Sequence, residues 1–521
     1  MRFYITTPIY YVNAEPHLGH AYTTIAADIL ARYHRQAGDD VFFLTGTDEH
    51  GNKVAQAAEE RGLTPREHVD RLAPQFRELA ARLNAGNDFF IRTTDPQHER
   101  FVQDFMEKVR ANGDIEKRTY GGLYCTACEG FYYERDLEDG KCPIHHTDPV
   151  WLEEENYYFL LSRYQDRLAQ FFRDNRDWVK PRSRYNEALA FIEQGLDDIS
   201  ISRRSITWGV PVPWDPEQVI YVWVDALINY VSALTYAGED ASRDGAGPAD
   251  GAGRDFTEFW PADVHLMAKD ILKFHAVIWP ALLMSAGYEL PRREFIHGYL
   301  LMGGEKMSKT RGNVLDPFAV MDTYGLDPLR FYLFREVAFG QDGVVSLDGF
   351  AARYGNELAN ELGNLVSRTV SMVSKYRDGA TPAAYDAGAA ESALAVEGAA
   401  MVAAARARFD ELEITAAIEE IWTYVRRLNR YVEEQAPWKL AKDEAQAQQL
   451  SCVLFELVAG LRLVALTLYP VMPATALEIL RRLGQPREAD DLLLANAAWA
   501  KTVPAAVEQA PPLFPRIETP D

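Results

Sequence analysis

Apolar positions in the first third of the chain alternate between two periods. Phe3 to Ile5 and Ile9 to Val12 are runs of β-formers, broken at Asn13, Glu15 and Pro16. From His17 the spacing becomes helical, with Leu18, Ile25, Ile29 and Leu30 ahead of Gly38. Strands are predicted at Asp39 to Thr47 and Phe89 to Arg92. Helices are predicted at Asn52 to Arg61, from the Thr64-Pro65 cap to Leu83, and at Gln97 to Asn112. Further on, Val219 to Val224, Val264 to Ala268 and Phe295 to Met302 read as core strands, the first followed by a helix from Ala226 and the second by one from Ile271. Such alternation predicts a parallel sheet covered on both faces, with ligands beyond the carboxyl ends of its strands. From Tyr354 the strand signal ends. Leu358, Leu362, Leu365 and Val366 open a helix, and others follow at Ser392 to Leu412, Thr415 to Gln435, Ala445 to Leu468 and Ala474 to Leu483, a bundle of about five.

Three stretches interrupt this plan. Ile115 to Pro216 reads as an insertion between two halves of one α/β domain. Gly238 to Asp255 is Gly/Ala/Asp-rich and predicts a surface loop, and the tail from Pro504 is Pro-rich and predicts poor order. Composition adds little to this. Hydrophobic content of 47% and charged content of 25% are ordinary for globular chains. The net charge of −23 argues against general polyanion binding but leaves room for a local basic face, such as the stretch with Trp178, Lys180, Arg182, Arg184, Arg203 and Arg204, or for a merely solvated one. The apolar run Val453 to Pro470 contains Glu456 and Arg462 and reads as a buried helix, not a membrane span. Four cysteines in 521 residues, and a strand pattern starting at once, predict a reducing, cytoplasmic setting.

Cys125-x2-Cys128 and Cys142-x2-His145 are two knuckles thirteen residues apart, spaced for a structural Cys3His zinc site, with His146 a rival fourth ligand and a relic knuckle the alternative. His17 and His20 face the loop before the first helix, whose orphan N–H groups favour anions, and Gly19 leaves room for a flat ring; two surface histidines are the plainer reading. Asp48 ends a strand and either holds an ammonium group or caps a helix. Lys306-Met307-Ser308-Lys309-Thr310, flanked by glycines, is either a loop that closes over a polyphosphate or an exposed basic turn.

HLGH at the first helix and KMSKT after the last strand, with an inserted module between, resemble the two signatures of the class I aminoacyl-tRNA synthetases. TTPIYYVNAEPHLGH, TGTDEHG, YVWVDALINY, AKDILKFH, GEKMSKTRGN and EQAPWKL resemble its methionine-specific family over most of the chain. The resemblance implies a Rossmann-type catalytic domain in two halves, 1–114 and 217–293, with a zinc-knuckle insertion at 115–216. It further implies a stem-contact region at 294–353, an all-α anticodon-binding bundle at 354–503 and a tail at 504–521. ATP with Mg2+ would be bound by His17, Gly19, His20, Lys306, Met307, Ser308, Lys309 and Thr310, of which His17, His20, Lys306 and Lys309 would be catalytic. Methionine would lie against Ile9, Tyr11, Asp48, Trp223, Ala226, Tyr230, Ile271 and His275, although Leu227 stands where many relatives carry proline. TTPIYYVNAEPHLGH would then be one wall shared by methionine and ATP, while Asp225 and Asp270, at strand ends, would position ribose or amino-acid groups, structural caps being the alternative. Asn364, Arg368 and Trp438 would read the anticodon of initiator and elongator tRNA(Met); for Trp438 a core position beside Pro437 is the alternative. The implied protein carries one zinc, is a monomer and has no membrane partner. Rival readings are another class I synthetase, an amide ligase of the same fold, and a non-enzymatic tRNA-binding paralogue. The insertion, at about a hundred residues, is too short for an editing domain.

Overall fold

The computed structural model describes residues 1–125, 130–132, 134–143, 146–238, 253–302, 305–306, 317–383 and 392–516. The chain divides into two compact units, one of Arg2–Pro16 and Phe42–His297, the other of Met1, His17–Val41 and Gly298–Asp521.

In the first unit a seven-stranded sheet carries the core. Tyr10–Tyr11, Asp40–Asp48, Arg2–Thr6, Val264–Ala268, Glu294–His297 and Val179–Lys180 lie side by side in that order, and Phe89–Arg92 pairs with Asp40–Asp48. The pairings Ile5 with Val264, Leu266 with Phe295, Tyr10 with Thr47 and Leu44 with Phe89 are all parallel. Phe42, Leu44, Phe89 and Ile91 on these strands join Phe105, Leu227 and Trp279 on helices in one core, which explains why the strands are apolar on both faces. In the insertion, Ile115–Cys125 pairs antiparallel with Val150–Phe159, flanked by Gly130–Tyr132 and Ile199–Ser200.

Two predicted strands come out differently. Asp215–Ile220 belongs to a small antiparallel sheet with Ser202–Arg203 and Pro211–Val212, and the chain turns helical at Val222. A short, wholly apolar run fits a buried helix as well as a strand, and Val222–Tyr236 is buried along nearly its whole length. The run Phe295 to Met302 is split: Glu294–His297 ends in the main sheet, whereas Leu300–Met302 pairs with Glu305–Lys306 and Gly343–Val344. Gly298 lies at the break, where a Cβ would sit 2.2 Å from the backbone of Gln341. The basic stretch is largely spent internally. Trp178 is buried and its indole N–H donates to the Pro291 carbonyl at 2.6 Å, Arg203 is buried, and Arg184 and Arg204 pair with Glu187 and Glu217.

The second unit is a bundle of Asn364–Tyr376, Ala393–Asp410, Ile414–Gln435, Ala447–Leu468 and Pro473–Arg482, led in by a π-helix at Tyr354–Gly363. Leu18–Gln36 packs in the same unit, where Asp28 meets Arg330 at 2.6 Å with both side chains fully buried. Glu444–Leu468 is long and apolar enough to cross a membrane by length and composition, but 89% of its apolar window is buried in the protein. Its Glu456 accepts the Tyr431 hydroxyl, and its Arg462 donates to the Asn496 carbonyl at 2.8 Å.

The tail corrects the expectation of disorder as far as residue 516. Ala506 bridges Ala380, the Ala505 carbonyl accepts the Thr381 N–H at 2.9 Å, and the Pro515 carbonyl accepts the Tyr354 hydroxyl at 2.9 Å. Proline removes a donor but leaves its carbonyl to accept, so a Pro-rich segment can still be fastened. Phe514 is buried, and a Cβ on Gly363 would sit 3.2 Å from its ring.

Candidate active site

Helix Leu18–Gln36 starts on a histidine cap. His17 is the N-cap residue, with φ −140° and ψ 175°. Its Nδ1 accepts the Gly19 N–H at 3.1 Å, and its own N–H donates to Nδ1 of His20 at 3.1 Å. The pair makes a capping box from imidazoles and satisfies two otherwise orphan donors. The rings stack, with centroids 3.8 Å apart and planes 20° apart. Since both Nδ1 atoms accept, each neutral ring carries its proton on Nε2. Gly19 has a local reason as well as a ligand-binding one: a Cβ there would come 2.9 Å from Cε1 of His17.

The proposed amino-acid residues lie in the sheet-bearing unit. Tyr11 stands beside Asp48 in parallel register, and the Val12 N–H donates to the Asp48 carbonyl at 3.2 Å. Ala226 and Tyr230 share one face of Val222–Tyr236, a turn apart, and both are buried. The Tyr230 hydroxyl donates to Nε2 of His275 at 2.8 Å, and Nδ1–H of His275 donates to the Ile271 carbonyl at 3.1 Å. Burial holds His275 down at about 4, despite that carbonyl, so the ring is neutral. Burial and the nearby Glu294, with smaller contributions from Tyr10 and Asp48, push the Tyr230 phenol up. His275 sits in a single π-turn, Phe274–Ile278, whose Phe274 stacks on Trp223 with centroids 4.2 Å apart. Ile9 and Ile271 pack against the core that holds Tyr230.

The sequence singles out Asp225 but not the buried network that it joins beside these residues. One carboxylate oxygen of Asp225 meets Nδ1 of His50 at 2.7 Å and the other meets Nε2 of His98 at 2.8 Å. His98 continues to the Ser232 hydroxyl at 2.7 Å. Burial raises the Asp225 carboxyl, but His50 and His98 outweigh it and hold the group at about 2. Burial lowers His50, but Asp225 and then Glu99 bring it up to about 10. The neighbouring Glu49 carboxylate is likewise enclosed: it accepts from Thr47 at 2.7 Å, from Arg92 at 2.7 and 2.9 Å, and from Thr94 at 2.5 Å. The TGTDEHG and YVWVDALINY segments were the available signal, but 175 residues separate His50 from Asp225 and no local spacing joins them.

In the helical unit, the Arg368 guanidinium lies 5.9 Å from the Trp438 ring centroid and donates to Glu433 at 2.6 Å. Trp438 is half-buried on the short helix Pro437–Leu440, so it is not the core residue that its neighbour suggested. Asn364 is exposed at the start of its helix. Cys125 and Cys142 are both buried, and Thr147 links them, its hydroxyl 3.4 Å from the Cys125 sulfur and its carbonyl accepting the Cys142 N–H at 3.0 Å. Cys128 and His145 lie outside the described residues, and His146 is exposed. Among the described residues no group of three His, Cys, Asp or Glu side chains is placed to hold a metal ion. Lys306 ends a strand at Glu305–Lys306, while Met307, Ser308, Lys309 and Thr310 lie outside the described residues.

A family model described as tRNA synthetases class I (M) matches residues 3–148 and 133–370, and one described as the anticodon binding domain of methionyl tRNA ligase matches 381–519. The chain belongs to the methionine–tRNA ligase family. Methionine–tRNA ligase of Thermotoga maritima is 44% identical over 100% of this chain and 81% of its own length. That of Streptomyces coelicolor is 43% identical over 99% of this chain and 97% of its own. The Mycobacterium tuberculosis methionyl-tRNA synthetase in complex with methionyl-adenylate superposes with a TM-score of 0.90, at 41% identity, over 99% of this chain and 100% of that one. Membership of the methionine–tRNA ligase family makes this chain an aminoacyl-tRNA ligase acting on methionine, ATP and tRNA.

Proposed function

We propose that this chain joins methionine to tRNA(Met) in two steps. The methionine carboxylate attacks the α-phosphorus of ATP, releasing pyrophosphate and leaving methionyl-adenylate. A ribose hydroxyl of the tRNA's terminal adenosine then takes the methionyl group, and AMP leaves. In this reading Asp48 receives the ammonium group, and Ile9, Tyr11, Trp223, Ala226, Tyr230, Ile271 and His275 enclose the side chain.

The observation that carries the specificity is the neutral Tyr230–His275 pair. It is polar without charge and its neighbours are aromatic, an environment that suits a polarisable thioether better than an ionised side chain. His17 and His20 offer Nε2–H donors to phosphate oxygens at a helix N-terminus, where developing negative charge is favoured. Lys306 and Lys309 then hold the β- and γ-phosphates, with Gly19, Met307, Ser308 and Thr310 alongside; Mg2+ accompanies the ATP. Asn364, Arg368 and Trp438 read the anticodon: the guanidinium against the indole supports a stacking platform for an unpaired base. Cys125, Cys128, Cys142 and His145 would hold one zinc, which supplies folding of the insertion and no chemistry, since four protein ligands leave no open position. Burial of Cys125 and Cys142 fits thiolate ligands. Metal analysis is expected to find about one zinc per chain, reduced by Cys125→Ser; a zinc-free wild-type chain fully active in tRNA charging would remove this part.

ATP–pyrophosphate exchange with each of the twenty amino acids tests the whole reading. Methionine is expected to support exchange, and none of the others comparably. His20→Ala and Lys306→Ala are each expected to lower the exchange rate by roughly 10²–10³-fold. Unchanged exchange in both variants would withdraw their assignment.

A further inference from the structure

We propose that Asp225 is a positioning residue for amino-acid binding: through His50 it fixes the Asp48–Gly51 turn against the helix that carries Trp223, Ala226 and Tyr230. This rests on reading Asp48 as the ammonium receptor. Asp48 and His50 are two residues apart on one turn, and Asp225 lies between Trp223 and Ala226 on the other element. The 2.7 Å bond between His50 and Asp225 therefore sets the distance from the charge receptor to the side-chain pocket. The carboxylate cannot turn away, because its second oxygen is held by His98, and His98 is held by Ser232 two turns further along the same helix. Other bonds fasten the turn elsewhere: the Glu49 N–H to Thr93 at 2.9 Å, the Gly51 N–H to the Trp208 carbonyl at 3.1 Å, and the Glu49 carbonyl to the Trp208 indole at 2.7 Å. The His50 side chain ties the turn to helix Val222–Tyr236.

The groups facing His50 are Asp225, Glu99, whose carboxylate is 3.7 Å from Nε2, and the Trp208 ring, edge-on at 5.4 Å. Two carboxylates, one of them shared with His98, keep His50 an imidazolium through neutral pH, so the turn stays locked across the working range.

The test uses methionine-dependent ATP–pyrophosphate exchange by the full chain between pH 6 and 9. Asp225→Asn and His50→Gln keep hydrogen-bonding shape and remove the charge. Each is expected to raise KM for methionine about tenfold while leaving KM for ATP and kcat within about twofold. In Asp225→Asn the methionine KM is also expected to gain a pH dependence that the wild type lacks, as His50 loses its main partner. On an Asp48→Ala background, Asp225→Asn is expected to add nothing, because its effect runs through Asp48. Full additivity in that cycle, or equal losses in both KM values, would overturn the inference. An Asp48→Ala chain with a normal methionine KM would instead sink the ammonium reading, and the inference with it.

Discussion

Glu294 is a carboxyl with nothing to hold its charge. It is fully buried, and neither side-chain oxygen has a hydrogen-bond partner among the described residues. It stands in register between Val179 and His265 on the sheet, and burial pushes its pKa well up. A carboxyl whose folded pKa is raised favours the fold fully only below its unfolded value of about 4.3, and that favour is lost as pH rises. Glu294→Leu is therefore expected to stabilise the chain by about 1–3 kcal/mol at pH 8, with the gain shrinking toward zero near pH 4; calorimetry across that range checks it. His275 has the opposite sign. Its folded value of about 4 lies below the imidazole norm, so its contribution is complete above about pH 6.5 and fades as pH falls toward 4. Neither behaviour was legible in the sequence. A glutamate at the start of a strand reads as solvent-facing until the neighbouring strands are known, and the same holds for His50, His98 and Asp225, whose meaning lies in bonds across distant segments.

At the level of elements, the sequence was legible wherever local period and capping chemistry agreed. Thr64 is the expected N-cap with Pro65 at the first helical position, Phe89–Arg92 and Val264–Ala268 are strands, and the bundle helices fall within a few residues of their predicted limits. It was not legible where apolar residues ran without period, as in Val219 to Val224. The cap of the first helix was half legible. Orphan N–H groups predicted an anion site, but the His17 side chain already takes the Gly19 N–H. The buried Asp28–Arg330 pair helps tie that helix into its unit: Arg330 also donates to the Val471 carbonyl at 2.8 Å and to Pro470 at 2.9 Å. Asp28→Ala leaves a buried guanidinium short of its counter-charge and is expected to cost about 3–5 kcal/mol in urea titration, whereas an Asp28→Leu, Arg330→Met pair should recover most of that.

For the molecule as a whole, composition misjudged the end of the chain. Tyr354 and Gly363 bracket the π-helix that leads into Asn364, and both are touched by the tail, through Pro515 and Phe514. Ending the chain at residue 503 is expected to lower kcat/KM for tRNA charging roughly tenfold, with methionine-dependent exchange left near the wild-type rate. Phe514→Ala should reproduce part of that loss. Equal charging by the full and shortened chains would make the tail dispensable. The way the tail is fastened has one more consequence. Its grip comes from main-chain bonds at Ala505, Val507 and Glu508, from the Pro515 carbonyl on Tyr354, from the Glu508 carboxylate on Arg481 and from one buried ring, so it depends little on being covalently joined to what precedes it. A shortened chain is then a receptor for its own missing peptide. Residues 504–516 supplied as a separate molecule should bind it and restore charging, at concentrations set by the lost tether, in the millimolar range for a short flexible link.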